Sequence, residues 1–153
     1  MAIVKFYNCD PKDAPKTTMP AHLGANAILT CQGKLLLEKR RDSDIWGMPG
    51  GGCKKWETGR EAIAREIYEE LGIRIPKEKF EKLAVYDNPG RIAAYRDGSI
   101  WRMVIVVFAL EVEENRPIRI SNESKEARFF TKEELRHIEI AVTHRDIVEA
   151  CFM

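Results

Sequence analysis

The chain is expected to fold as a single α/β sandwich. Three observations predict this. Short strand-like runs, rich in apolar and β-branched residues, recur from Ala25 to Phe130. One strongly periodic helical segment, with recognisable start and stop signals, interrupts them between Thr58 and Gly72. Two further helix signatures follow the last strand, at Thr131 and Thr143, and strands mixed with a few helices make a layered α/β domain. A length of 153 residues suits one core.

Residues 8 to 20 carry three prolines, several charges and little apolar periodicity, so residues 1–20 read as an arm ahead of a single domain over 21–153. Ala25–Thr30 and Lys34–Glu38 flank Cys31-Gln32-Gly33, the pattern of a strand pair around a Gly-bearing turn. Trp46 to Gly52 holds Gly and Pro at positions that exclude an ordinary helix or central strand, so a shaped loop is expected. Thr58 and Glu61 form a capping box, and Ala62, Ile63, Ala64, Ile67 and Leu71 recur at helical spacing until Gly72. Phe80–Tyr86 and Trp101–Val112 are strand-like, the second β-branched enough to be buried. Asp87–Ser99 between them is a loop or hairpin with Pro89, Gly90 and Gly98. Ala127–Phe130 makes a further strand, Thr131 with Glu134 caps a short helix, and Thr143 caps a last one ending near Cys151.

The totals exclude several function classes. A net charge of +1 gives no bulk attraction to nucleic acid or an anionic membrane, so a polyanion must be held locally. No stretch approaches the roughly 20 apolar residues of a spanning helix, and the N-terminus has no signal-peptide core. Cys9, Cys31, Cys53 and Cys151 are scattered, without a CxxC pair or a mark of secretion. A cytoplasmic location is expected.

The chemistry lies in Gly51 to Ile73, GGCKKWETGREAIAREIYEELGI. Glu66, Glu69 and Glu70 stand at i, i+3 and i+4, within an arc of roughly 100° on the helix. The apolar residues fill the neighbouring arc. Three carboxylates this close repel one another and raise one another's pKa. A hard divalent cation removes both problems, and Mg²⁺ shares its shell among carboxylates, waters and phosphates. It can also activate a water for attack. The Pro49-Gly-Gly-Gly52 run can bring backbone, and a carbonyl, close to such an ion. An acidic triplet alone is more often a solvated face, and a lone Gly-rich loop is weak evidence. The combination carries the argument.

Gly51, Glu57, Arg65, Glu66, Ile67, Glu69, Glu70, Gly72 and Ile73 together match the Nudix box without a departure. A chance match in a chain this long is on the order of 10⁻⁷ from average residue usage. The chain therefore resembles the Nudix hydrolases over most of residues 21–150. The resemblance implies an α/β/α sandwich with a mixed sheet and a loop–helix–loop at the box. It implies Mg²⁺, with Mn²⁺ as a substitute, on Glu66, Glu69, Glu70 and the Gly50 carbonyl. Glu57 and Arg65 look like the family's internal ion pair. A later glutamate often serves as ligand or general base, and Glu123 fits that place first, Glu126 second, with Glu66 as a rival. The implied reaction is hydrolysis of a diphosphate linkage in a small nucleotide-like substrate, and a homodimer is common in the family.

Specificity is less legible. Arg40 and Arg41 either meet phosphates or form a solvated turn, and Arg91 and Arg96 are candidate substrate clamps. Trp46, Tyr86, Tyr95 and Trp101 either stack on a base or sit in the core. His22, His137 and His144 form no motif and are assigned no role. Pro89, sixteen residues past the box, resembles a proline of members that cut ADP-ribose and ADP-sugars. The alternative substrate is a canonical or 8-oxo nucleoside triphosphate. A non-catalytic nucleotide sensor with a Nudix fold is the alternative of another class; the unbroken box and short arm disfavour it. RNA 5′-end processing would call for a basic surface.

Overall fold

The computed structural model of the protein describes residues 3–41 and 43–153. Its strands are β1 (Ile3–Asn8), β2 (His22–Cys31), β3 (Lys34–Arg40), β4 (Trp46–Gly47), β5 (Gly50–Gly52), β6 (Glu81–Tyr86), β7 (Arg91–Tyr95), β8 (Ile100–Glu111) and β9 (Ser124–Phe130). Its α-helices are α1 (Gly59–Leu71), α2 (Lys132–Leu135) and α3 (Val142–Cys151). The sheet runs β1-β7-β8-β2-β3-β4, with β5 beside β2, β6 beside β8 and β9 beside β3. β2 lies parallel to β8 from His22↔Met103 to Thr30↔Glu111, while the neighbouring pairings are antiparallel, so the sheet is mixed.

Period-2 alternation divides the core. On β2, β3 and β8, the side chains of Ala25, Ala27, Leu29, Leu36, Phe108 and Leu110 join Ile63, Ile67 and Leu71 of α1. The alternate positions Ile28, Leu35, Leu37, Ile105 and Val107 join Phe130, Leu135, Ile147 and Val148. Helices therefore cover both faces of the central strands, which gives the expected α/β/α sandwich. Each fully buried Leu or Ile contributes roughly 1.5–3 kcal/mol of burial.

The helix signals at Thr58 and Thr131 act as expected: both capping boxes are formed reciprocally, and Gly72 closes α1 in the left-handed conformation at φ 70°. Gln32 and Gly33, both at positive φ, make the two-residue turn between β2 and β3.

Four readings change. Residues 1–20, expected to be an arm, contain β1, which pairs with β7 from Phe6↔Ala93 to Asn8↔Arg91. The segment is too short and too mixed in polarity to announce itself; the neighbouring strand supplies the pairing. The Trp46–Gly52 loop holds two very short strands: Gly50–Gly52 pairs with Gly24–Asn26, and Trp46–Gly47 with Glu38–Lys39. Glycine carries the same backbone donors and acceptors as any residue, so it can pair where no side chain must pack. Asp87–Ser99 contains β7, which forms a hairpin with β8. Thr143 does not cap α3. Ala141 holds that position without a side-chain bond, and Thr143 is buried inside the first turn. Among the described residues no helix is long and apolar enough to cross a membrane.

Candidate active site

A cleft of about 450 Å³ opens between the glycine strand β5, the inner end of β3, the loop before β9 and the start of α3. That is within the usual range for small-ligand sites. Gly50 to Gly52, Glu38, Glu70, Glu123, Ser124 and Arg40 all line it.

The glycines set its geometry. Gly50 sits at φ 139°, and a Cβ there would lie 2.1 Å from the Ala25 carbonyl oxygen. A Cβ on Gly51 would come within 2.7 Å of the Glu66 carboxyl carbon. No other residue lets this backbone run so close to both β2 and α1. The Gly50 N–H then donates to Glu70 Oε1 at 2.7 Å, tying the loop to the acidic face of the helix.

Arg65 fixes the rest of the loop. Its Nε and Nη2 grip Glu57 at 2.6 and 2.9 Å, and Nη2 also donates to the Gly52 carbonyl at 3.0 Å. The fork holds the Glu57 carboxyl down at about 2. Nη1 reaches Glu66 at 2.9 Å and Glu69 at 3.1 Å. Glu66 therefore lies under the Gly51 backbone, and Glu69 faces outward, its side chain 53% exposed. Glu70 lines the cleft itself.

Glu38 is a site residue that no sequence motif singles out. It is 4% exposed, shares the α1 side of β3 with Leu36, and accepts a hydrogen bond from Ser124 Oγ at 3.0 Å. Burial pushes its carboxyl up to about 7. Glu70 is pushed well above the carboxylate range, first by burial and then by the Glu38 charge; Glu66 is raised mainly by burial. The Glu123 charge acts on all three. A charged residue directly after Leu35-Leu36-Leu37, on the same face as Leu36, is the signal that could have found Glu38, since an acidic side chain is seldom buried without a task.

Of the other expected residues, Glu123 lines the cleft, while Glu126 is an exposed residue registered with Lys39. Arg40 lines the cleft, its guanidinium 5.8 Å above the Phe6 ring. Arg41 also lines it, but frames the loop before β9: its N–H donates to the Glu123 carbonyl and its Nε to that of Asn122, at 3.0 and 2.8 Å. Arg91, expected as a candidate substrate clamp, is engaged within the protein. It is fully buried, pairs with Asp146 at 2.6 Å, and donates to Asn88 and to the Thr143 carbonyl. Arg96 is exposed in the turn after β7, away from the cleft. Trp46 is in the core against Phe130, Tyr86 bonds Cys151, Trp101 meets His22 edge-on, and Tyr95 lines the cleft. His144, unassigned from sequence, is half-buried in the cleft wall, and its Nδ1 accepts from the Met48 N–H at 3.0 Å. Burial lowers its pKa to about 4, so the ring is neutral at physiological pH.

The donor set fits a hard divalent cation. Carboxylates gather around the cleft, with Arg65 bonded to Glu66 and Glu69, and burial raises Glu38 and Glu70 above the ordinary carboxylate range. Among the described residues no three acidic, His or Cys side chains already enclose one point. Mg²⁺ does not require that, since it takes one or two carboxylates and completes its shell with water and phosphate oxygens.

The profile of the NUDIX domain matches residues 20–151. An ADP-ribose pyrophosphatase from Methanocaldococcus jannaschii is 32% identical over 143 residues, covering 90% of this chain and 78% of its own. A MutT-like protein from Streptomyces ambofaciens is 34% identical over 86 residues, and there the chain spans about half of its relative, 54%. A crystal structure of a MutT NUDIX hydrolase from Burkholderia pseudomallei has a TM-score of 0.69 at 25% identity, covering 87% of this chain and 98% of that one. Box, glycine loop, arginine fork and sandwich thus agree with a likeness running almost the length of the chain, which belongs to the Nudix hydrolase family.

Proposed function

We propose that the protein hydrolyses the diphosphate linkage of a nucleoside diphosphate derivative, with ADP-ribose as the first substrate to test. The observation that carries the reading is the convergence of Glu38, Glu70 and Glu123 on a cleft floored by Gly50–Gly52, with Glu66 directly beneath Gly51. Such a wall repels a diphosphate until cations neutralise it. Glu66, Glu69, Glu70 and the Gly50 carbonyl would hold Mg²⁺, or Mn²⁺ in its place. The ion supplies charge neutralisation for the phosphates and a more acidic water.

The chain's own groups then do the positioning. Arg65 keeps Glu66 and Glu69 oriented, and the Gly50 N–H keeps Glu70 turned toward the loop. Glu123 faces the cleft as the general base, taking the proton of the attacking water while the P–O bond of the leaving phosphate breaks. Arg40, at the cleft wall, meets the remaining phosphate charge. Support for ADP-ribose comes from the 32% identical pyrophosphatase and from the position of Pro89.

The test is a Mg²⁺-dependent turnover screen with products resolved by mass. It covers ADP-ribose, ADP-sugars, NADH, dinucleoside polyphosphates, and canonical and 8-oxo nucleoside triphosphates. The expected result is AMP and ribose 5-phosphate from ADP-ribose. Turnover of triphosphates alone would move the substrate while keeping the chemistry. No turnover with Mg²⁺ or Mn²⁺ would overturn the hydrolase reading.

A further inference from the structure

The Glu123 side chain is exposed on the turn before β9, so its aim depends on how its backbone is held. The turn is anchored on two sides. At the C-terminal end of α1, the Ser121 N–H donates to the Glu70 carbonyl at 3.1 Å. At the end of β3, Arg41 takes three consecutive carbonyls. Its own N–H donates to Glu123 at 3.0 Å, its Nε to Asn122 at 2.8 Å and its Nη2 to Ser124 at 3.4 Å. A guanidinium suits this task, because its donors form a rigid planar fork. Ser124 Oγ adds a bond to the buried Glu38 carboxylate at 3.0 Å. The pairing of β9 with β3 also shifts here. Lys39 is registered with Glu126 and Arg40 with Ser124, so Lys125 is an extra residue on β9. Such a bulge bends a strand and re-aims the side chains beside it. Lys125 pairs with Asp44, which ties the bulge to the connection after β3.

We propose that Arg41 is a positioning residue for turnover: it holds residues 122–124 as one unit and so keeps the Glu123 carboxylate at the cleft. The proposal rests on the reading of Glu123 as the general base. A base must stay within hydrogen-bond reach of its water, and a misplacement of about 1 Å is enough to slow the reaction. Arg40 and Arg41 are neighbours in sequence with different tasks. The Arg40 guanidinium lies over the Phe6 ring at the cleft wall, while that of Arg41 turns to the backbone of the loop. The two tasks leave different kinetic marks. Loss of a phosphate contact made equally in the ground and transition states raises KM, whereas a misplaced base lowers kcat and leaves KM alone. Groups that act as a unit are also non-additive, so the loss of Arg41 should matter only while Glu123 is present.

The test compares Arg41→Ala, Arg41→Lys, Glu123→Gln and the Arg41→Ala/Glu123→Gln double variant, each as the full chain. Turnover is measured with Mg²⁺ on a diphosphate that the wild type cuts. Amide hydrogen exchange is followed at Glu123 and Ser124, whose N–H groups donate to the Ser121 hydroxyl and carbonyl. Arg41→Ala should lower kcat by about tenfold to a hundredfold, the range for a residue that orients a functional group, with KM within about twofold. A lysine ammonium is a point charge that cannot bridge Asn122 and Ser124, so Arg41→Lys should recover only part of the loss. In the Glu123→Gln background, Arg41→Ala should cost less than about twofold further. Exchange at Glu123 and Ser124 should quicken about tenfold in Arg41→Ala, while the amides of α1 keep their wild-type rates. A raised KM at unchanged kcat overturns the proposal and returns Arg41 to the phosphates. Unchanged exchange at Glu123 and Ser124 overturns it too, as does an equal loss of kcat with and without the Glu123 carboxylate. Failure of the base reading looks different: Glu123→Gln keeps the wild-type kcat, which removes the link to turnover, while Arg41→Ala still loosens the turn.

Discussion

The two walls of the cleft differ in how they are made. The acidic wall is built mainly on a contiguous stretch, Pro49 to Gly72, whose loop and helix are pinned to each other by Arg65 and by the Gly50–Glu70 bond, with Glu38 and Glu123 added from β3 and the loop before β9. The opposite wall is assembled from three strands drawn from residues 3–8, 91–95 and 100–111, and no local pattern links them. The first wall carries clustered carboxylates; the second carries apolar and aromatic surface. The difference separates a wall that is written locally from one that depends on long-range strand pairing.

The largest expected effect lies on the acidic wall. Glu70→Gln keeps the shape, leaves an oxygen to accept from the Gly50 N–H, and removes the charge. Metal-dependent turnover should fall by more than about a hundredfold, beyond the loss typical of a residue that merely orients a ligand. The folded state should survive, because no core packing is removed. Glu69→Gln should act in the same direction, although that side chain is half exposed on Arg65. Loss of less than about tenfold in both variants at saturating substrate would take the acidic helix out of the mechanism and collapse the distinction between the walls.

Next in size is a buried residue of β7, the strand that also carries Tyr95. Arg91 reads as a substrate clamp in the sequence because it stands in a loop-like segment beside Pro89 and Gly90. The structure places it at 0% exposure, gripping Asp146 and the first turn of α3. Arg91→Leu should therefore destabilise the protein by about 3 kcal/mol, the low end for breaking a buried pair, because Asp146 is half exposed and can regain water. That corresponds to a fall in Tm of roughly 10 °C. Well below the new Tm, KM should be nearly unchanged. A raised KM at unchanged Tm would return Arg91 to the substrate.

Legibility follows the same division. The clustering of Glu66, Glu69 and Glu70 and the glycine loop are readable because helix periodicity and backbone demands act over a few residues, while the Glu57–Arg65 pair is legible only through the resemblance to the Nudix box. The hairpin at Gln32-Gly33 and both capping boxes are readable for the same reason. β1 is hidden because a short amphipathic segment becomes a strand only when a neighbour supplies its hydrogen bonds, here β7. Glu38 is hidden because the strand pattern says which side of the sheet a residue faces, not that α1 will present Glu70 there. Thr143 misleads because a hydroxyl near a helix start resembles a cap, while the Trp46–Ile140 bridge fixes where α3 begins.

Glu38 also yields the most diagnostic effect, one that depends on pH and vanishes near pH 4.5. In the folded protein its carboxyl titrates at about 7, against an ordinary 4.5, because burial disfavours the charge. Between those values the folded state retains a proton that the unfolded chain has released. Stability from this group therefore falls as pH rises from about 4.5 to about 7. The amide introduced by Glu38→Gln does not titrate. Measured in chelator, this variant should match the wild type near pH 4.5 and gain on it steadily up to about pH 7, by about 3 kcal/mol at most. His22 and His144, with lowered pKa values, give the opposite slope over part of this range. They do so in both proteins, and Glu66 is raised in both, so the difference between variant and wild type reports Glu38 together with Glu70, whose rise owes part to the Glu38 charge. A pH-independent difference would mean that the Glu38 carboxylate is already balanced by its surroundings. The acidic wall would then not be the uncompensated surface that sets it apart from the aromatic one.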